Sequence, residues 1–183
     1  MTRKCTVCRE AFEPRQAFQT WCGIAHGVII AAQKLAKAKT AKAAIERKET
    51  RAKLDKLKSR ATWAKEAQAA FNGFIRARDA SLPCISCGRH HEGQYHAGHY
   101  LSVGARPELR FVEMNVHKQC APCNTYLSGN AVLYRKALID RIGTASVDWL
   151  EGPHPTRHYT VDELKAIKAD YMAKTRELLK ASA

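Results

Sequence analysis

Two C-x2-C pairs, Cys84/Cys87 and Cys120/Cys123, constrain this chain of 183 residues more than any other feature of it. They stand 32 residues apart, and one tetrahedral zinc ion can take a thiolate from each of the four cysteines. Any fold must then press the loop at 84–87 against the loop at 120–123. The segment held between them is polar, with His96, His99, Asn115 and His117, and Asn124 follows directly on the last cysteine. A zinc clamp of this kind places such groups side by side.

A second cluster lies at the start, where Cys5, Cys8, Cys22 and His26 read C-x2-C-x13-C-x3-H. So short a segment has too little apolar surface to fold without metal. Phe12, Phe18 and Trp21 are expected to pack against this site. Either all four residues are ligands, or His26 is incidental and only the cysteines bind. No signal peptide is expected, because Met1-Thr-Arg-Lys-Cys5 runs directly into a cysteine pair, and six of the seven cysteines sit in C-x2-C pairs. Reduced thiolates in a cytoplasmic setting, and two structural Zn2+ ions, are therefore expected instead of disulfides.

Charge narrows the partner. Lys and Arg number 31 against 17 Asp and Glu, a formal net charge of +14, which favours a polyanion and nucleic acid first. No apolar run approaches the roughly 18 residues a membrane span needs. From Val28 to Asn72 there is no Gly or Pro, and Ala, Lys, Arg, Glu and Gln dominate, so one or two long helices are expected. From Gly27 through Arg60 eleven basic residues face three acidic ones, and large apolar residues are sparse. That stretch reads as an exposed basic arm with Lys37, Lys42, Arg47, Arg51, Lys53 and Lys56 as candidate phosphate contacts, or else as a solvated linker helix.

From Thr62 onward Trp63, Ala67, Phe71, Phe74 and Ile75 recur at helical spacing, which marks the start of a compact domain. Gln94 to Ser102 reads as a strand carrying His96 and His99, with Arg110 to Val112 as its return. Pro122 suits the first turn of a helix. A further helix begins near Asn130 and stops at Gly143, and Thr160 with Glu163 forms a capping box opening a last helix with Leu164, Ile167, Tyr171 and Leu178 in one stripe. The expected class is α+β and helix-rich. It divides into a zinc knuckle (1–27), a basic helical arm (28–61), a compact core (62–152) and a C-terminal helix packed on core or arm (153–183).

His96-Ala-Gly-His99-Tyr, Leu-Arg-Phe111, Asn115-Val-His117-Lys-Gln-Cys120, Cys123-Asn124 and Leu-Ser-Gly-Asn130 follow one another in order. This order resembles the NinG proteins of lambdoid phages, also called Rap recombination endonucleases, from the first cysteine cluster to about Glu151. The resemblance implies a zinc-stabilised ββα-metal (HNH-like) core and a structure-specific endonuclease for branched DNA such as Holliday junctions and D-loops. It places the protein in the cytoplasm of a phage-infected or lysogenic host, and recombination proteins are possible partners. It also implies His99 as the base that takes a proton from water, Asn115 as its orienting partner, and Asn124 as a ligand of a catalytic Mg2+ or Mn2+. His96 departs from the pattern, because the related proteins more often carry an aspartate there. As a ligand it would suit Mn2+, Co2+ or Ni2+ better than Mg2+.

His117 either touches the phosphate or metal or is hydrogen-bonded to the zinc knuckle, and His99 read alone is equally a zinc ligand or a packed strand histidine. Arg106, Arg110, Lys118 and Arg135 are further phosphate candidates, each also readable as ordinary surface charge. His90 and His91 read as exposed turn residues. A two-fold junction would suit a homodimer with each copy cutting one strand. Two other functions remain open: a non-catalytic, zinc-stabilised branched-DNA-binding protein, and a sequence-specific nuclease of the restriction type.

Overall fold

The stretch without Gly or Pro breaks at Lys58 and Ser59. Lys58 turns the backbone extended (φ −68°, ψ 131°) to end α1 (Ile24–Leu57), and Ser59 caps α2 (Arg60–Arg78) by accepting the Thr62 amide at 3.2 Å. A serine side chain that satisfies one of the free amides of a first turn is sufficient to start a new helix there. A computed structural model describes residues 1–181, and it divides at this break into one unit ending at Lys58 and another beginning at Ser59.

In the first unit β1 (Arg3–Lys4) pairs antiparallel with β2 (Ala11–Phe12), Arg3 opposite Phe12. α1 buries none of its residues, and Leu35, Ile45, Leu54 and Leu57 all stand exposed. Its apolar positions are too few to hold it against anything, as the sequence suggested. One expectation fails here: Phe18 is 91% exposed and does not pack on the cysteine cluster. Trp21 lies instead against Gly27, with ring atoms 3.1 Å from where a Cβ of residue 27 would stand, so a side chain there would require the ring to shift.

In the second unit α2 buries Trp63, Ala67, Phe71, Phe74 and Ile75, the stripe expected of it. α5 (Val161–Ala181) packs along α2 through Leu164, Ile167, Tyr171 and Leu178, with Tyr171 edge-on to Phe71 at 4.8 Å. The capping box forms in both directions, Glu163 N to Thr160 Oγ1 at 3.2 Å and Thr160 N to Glu163 Oε2 at 2.7 Å. A second apolar cluster gathers Ile85, Leu109, Tyr134, Leu138, Val147 and Leu150 beneath α3 (Ala131–Ile142) and α4 (Thr144–Glu151). Gly143 takes φ +81° to close α3, a conformation that favours glycine.

Between the two clusters lies a hairpin of β3 (Tyr95–His99) and β4 (Val116–Cys120), with Tyr95 opposite Cys120, Gly98 opposite His117 and His99 opposite Val116. The return strand is thus 116–120 and not 110–112. The latter falls between 3-10 turns at Pro107–Leu109 and Glu113–Asn115, the first begun by Pro107 with its preset φ. β4 was hidden because all five of its residues are buried, so it lacks the alternation that betrays a half-exposed strand. Pro122 does open a helix, but a one-turn π-helix, Pro122–Tyr126. Among the described residues no helix is long and apolar enough to cross a membrane.

Candidate functional site

The four cysteines at 84, 87, 120 and 123 bring their sulfurs within 4.8 Å of one another, Cys87 to Cys120 at 4.0 Å. Zinc–sulfur bonds of about 2.3 Å set tetrahedral sulfurs about 3.8 Å apart, so the cage fits zinc closely. Its first turn is closed by Gly88 N to Cys84 O at 2.9 Å, with Gly88 at φ +68°. Burial would raise the Cys84 thiol, but the amides of Cys120, Cys87 and Ser86 aimed at its sulfur bring it down to about 7. Amides pointed at sulfur favour the thiolate that a metal needs. His91 also belongs to this centre: its Nε2 lies 3.3 Å from the Cys87 sulfur, and its amide donates to the Tyr95 hydroxyl at 2.6 Å. The expectation of an exposed turn residue was wrong for His91, and its place four residues after Cys87 was the available signal.

The N-terminal cluster also fits a tetrahedral ion through Cys5, Cys8, Cys22 and His26. Cys8 and Cys22 sulfurs stand 3.7 Å apart, and His26 Nδ1 lies 3.6 Å from Cys5 and 3.1 Å from Cys22. His26 takes the fourth corner. Burial works against ionising Cys5, but the amides of Cys8, Val7 and Cys22 lower it to about 6.

The hairpin decides where the histidines go. Side chains alternate along a strand, so His96 and His99, three apart, leave opposite faces of β3. His99 lies on the α2 side, its ring centroid 6.4 Å from that of Phe71. Its Nε2 is 3.1 Å from the Arg110 carbonyl, and because a carbonyl only accepts, Nε2 carries the proton and the lone pair sits on Nδ1. Burial holds this imidazole below its usual value, against the pull of the Arg110 and Ala97 carbonyls. The ring is neutral near pH 7, as a proton acceptor must be.

Asn115 is fully buried and does not bond the imidazole. Its Oδ1 accepts from Leu101 N at 2.9 Å, and its Nδ2 donates to the carbonyls of Leu101 at 2.9 Å and Leu109 at 3.3 Å. It pins the loop that leaves His99, so any orienting effect passes through backbone. His117 is 4% exposed, with Nδ1 3.3 Å from the Tyr134 hydroxyl, which donates its own proton to Gly98 O at 2.9 Å. Nδ1 is therefore the donor of that pair. Burial pushes this imidazole down to about 3, with the Arg78 charge adding to the effect. This corrects the catalytic role expected of His117, which stands in the interior as a strut between β4 and α3.

The cations near the hairpin are largely committed. Lys118 is buried, donates to Ala80 O at 2.7 Å and stands over the Tyr95 ring, which corrects its reading as a phosphate contact. Arg106 pairs with Glu108 at 2.6 Å, Arg110 donates to Gln68 at 2.7 Å, and Arg135 grips Glu151 at 2.8 Å. On α1, Lys37, Lys42, Arg47, Arg51, Lys53 and Lys56 are all exposed.

His96 opens into a polar cleft of about 470 Å3, shared with Asn72, Arg76, Gln94, Tyr95, Ala97 and Asn124. Asn124 Nδ2 meets His96 Nδ1 at 2.8 Å, so two of the expected metal ligands are brought together. They would hold a divalent ion through the imidazole and, with the amide turned, its oxygen. Among the described residues no carboxylate lines the cleft. An imidazole donor suits a borderline ion such as Co2+ or Ni2+ best, and Mn2+ better than Mg2+. Asn72 and Arg76 were missed because α2 was read for its apolar stripe alone.

Against known families, a model described as "Bacteriophage Lambda NinG protein" matches residues 1–181. Protein ninG of Escherichia phage lambda is 47% identical over 182 residues, covering 93% of this chain and 89% of the relative. Protein ninG of Salmonella phage P22 is 47% identical over 182 residues, covering 93% and 90%. Protein ninG of Escherichia phage 933W is 46% identical over 187 residues, covering 96% and 93%. No solved structure matches the chain.

Proposed function

The chain belongs to the NinG family of phage proteins, and from that premise we propose that it is a metal-dependent endonuclease for branched DNA, acting on Holliday junctions and D-loops in phage recombination. The observation that carries this reading is His99, a neutral imidazole held at Nε2 by the Arg110 carbonyl on a hairpin that the four-cysteine cluster ties to a following helical turn. Two strands and then a helix is the order of a ββα-metal site.

In this reading His99 accepts the proton of an attacking water at Nδ1, and Arg110 O keeps the ring from turning. Asn115 keeps the outgoing loop, and with it Leu101 and Leu109, in register. His96 leaves the face of β3 opposite His99. With Asn124 it would hold the divalent ion, which when bound supplies charge neutralisation at the phosphate and the leaving oxygen, and the phosphate must then pass the edge of the hairpin between the two faces. The exposed cations of α1 follow the sugar-phosphate backbone without reading bases. A homodimer would match the two-fold symmetry of a four-way junction, with the host cytoplasm as the setting.

The test is cleavage of a labelled four-way junction beside linear duplex of the same arms, first with Mg2+ and then with Mn2+. Junction cutting is expected with Mn2+ at least, reduced about 100-fold or more in His99→Ala while junction binding persists. The carboxylate-free cleft favours one other reading, a zinc-stabilised branch binder without catalysis. Binding by the unmodified protein with no cutting under either ion would establish that reading instead.

A further inference from the structure

We infer that Arg76 and Asn72 of α2 form a phosphodiester-binding subsite beside His96, a step that rests on the proposed nucleic-acid function and names the groups that grip the backbone in the cleft. Most arginines around the hairpin are already bonded. Arg78 bonds Asp79 and the carbonyls of Glu113 and Val116, Arg106 bonds Glu108, Arg110 bonds Gln68, and Arg135 bonds Glu151. Arg76 is exposed, and among the described residues its guanidinium makes no hydrogen bond or ion pair. It is a fork of donors aimed into a cleft with nothing to bind.

Its neighbours are donors as well. Gln68 Nε2 donates to Asn72 Oδ1 at 2.8 Å, which fixes that amide and leaves Asn72 Nδ2 to donate elsewhere. His96 Nδ1 accepts from Asn124 Nδ2 at 2.8 Å, so the proton of the neutral ring sits on Nε2. Asn72 and Arg76 are four apart on one helix face. With no carboxylate in the lining, the cleft offers donors without a competing anion. A phosphodiester is all acceptor, singly charged, and presents two free oxygens to a guanidinium fork. A net charge of +14 draws the protein to polyanions, and nucleic acid is the polyanion built of phosphodiesters.

The zinc-loaded full chain and its Arg76→Ala, Arg76→Lys and Asn72→Ala variants would be titrated with dimethyl phosphate, following the side-chain NMR resonances of Asn72, His96 and Asn124. Four-way junction affinity would be measured alongside across a salt series. Dimethyl phosphate should move these resonances in the unmodified protein and not in Arg76→Ala. Junction affinity of Arg76→Ala should fall about tenfold near 150 mM salt, with a log–log salt slope smaller by about one. Arg76→Lys should restore the slope while recovering only part of the affinity, because it keeps the charge and loses the fork. Resonances that move equally in Arg76→Ala, or an unchanged affinity and slope, would overturn the subsite. Cleavage is a separate readout: a protein that binds phosphate through Arg76 and cuts no junction loses the nuclease reading and keeps the subsite. If it binds no junction, the dimethyl phosphate titration alone decides.

Discussion

Both cysteine clusters begin with one and the same turn. The Arg9 amide reaches back to Cys5 O at 2.9 Å and the Gly88 amide to Cys84 O at 2.9 Å, and the two residues take φ of 66° and 68°. Their surroundings differ. Cys84, Cys120 and Cys123 are buried and continuous with Tyr95 on the hairpin, whereas in the first cluster Cys22 is exposed and Cys5 alone is buried. Among the described residues every apolar core cluster lies in the second unit. Similar ligand geometry would therefore do two kinds of work: a metal held in the first unit would be nearly the whole reason for its fold, and one held in the second would fasten loops onto a core that apolar burial already favours.

The largest effect should come from breaking each cluster in turn. Cys120→Ser removes a ligand and loosens β4, which carries Val116 into one core and His117 toward Tyr134 of the other. Its thermal midpoint should drop by at least about 10 °C, the equivalent of several kcal/mol for a unit of this size. Cys22→Ser should unfold the first knuckle and leave the main transition within about 2 °C, since that knuckle has no apolar core to share. Calorimetry of both proteins with excess zinc checks the pair. A main transition that falls equally in Cys22→Ser would abolish the distinction between a metal-made and a metal-fastened unit.

Acid should separate the units next. His117 is folded with its imidazole near 3, far below the ordinary value of about 6.5. The unfolded chain then binds the extra proton first. This contribution to stability is fully present above about pH 6.5 and is lost as pH falls toward 3, at up to about 1.4 kcal/mol per pH unit. Asp79, held below the usual carboxylate range by Arg78 and the Lys118 amide in spite of its burial, adds a loss of the same sign at lower pH. His117→Asn should flatten the slope between about pH 6 and 5, and denaturant melts at both values measure it. An unchanged slope would shift the acid sensitivity to the zinc thiolates. The first unit has no counterpart of His117, because its one histidine, His26, is a candidate metal ligand.

What the sequence could reveal follows the same division. Spacing alone carries a cysteine cluster, since ligands at C-x2-C have few ways to meet, and the α2 stripe and the capping box at Thr160 are equally local. β4 was illegible because burial on both faces erases its alternation, and His117 was misjudged for the same reason, since nothing in the pattern marked its position as interior. The pairing of His96 with Asn124 was expected through resemblance, whereas Asn72 and Arg76 come from a helix far away in sequence. A long-range meeting leaves no local pattern. Lys118 and Arg106 show the converse, since nothing in a lone basic residue tells whether a carbonyl waits for it.

The smallest expected effect sharpens the comparison of the turns themselves. At φ near +67° a side chain with a Cβ is strained by about 1 kcal/mol, and only glycine escapes this. Arg9 bears that strain in the first knuckle, and Gly88 avoids it in the second. Arg9→Gly should therefore tighten the first knuckle by about 0.5 to 1 kcal/mol, less than the full strain because glycine also frees the unfolded chain. Gly88→Ala should weaken the second unit by about 1 kcal/mol, and no steric term adds to it because the space around a Cβ there is empty. The first change is read as slower loss of metal to a chelator and the second as a lower thermal midpoint. If Arg9→Gly releases metal faster, the arginine contributes something its backbone conformation hides, and the two turns are alike in geometry only.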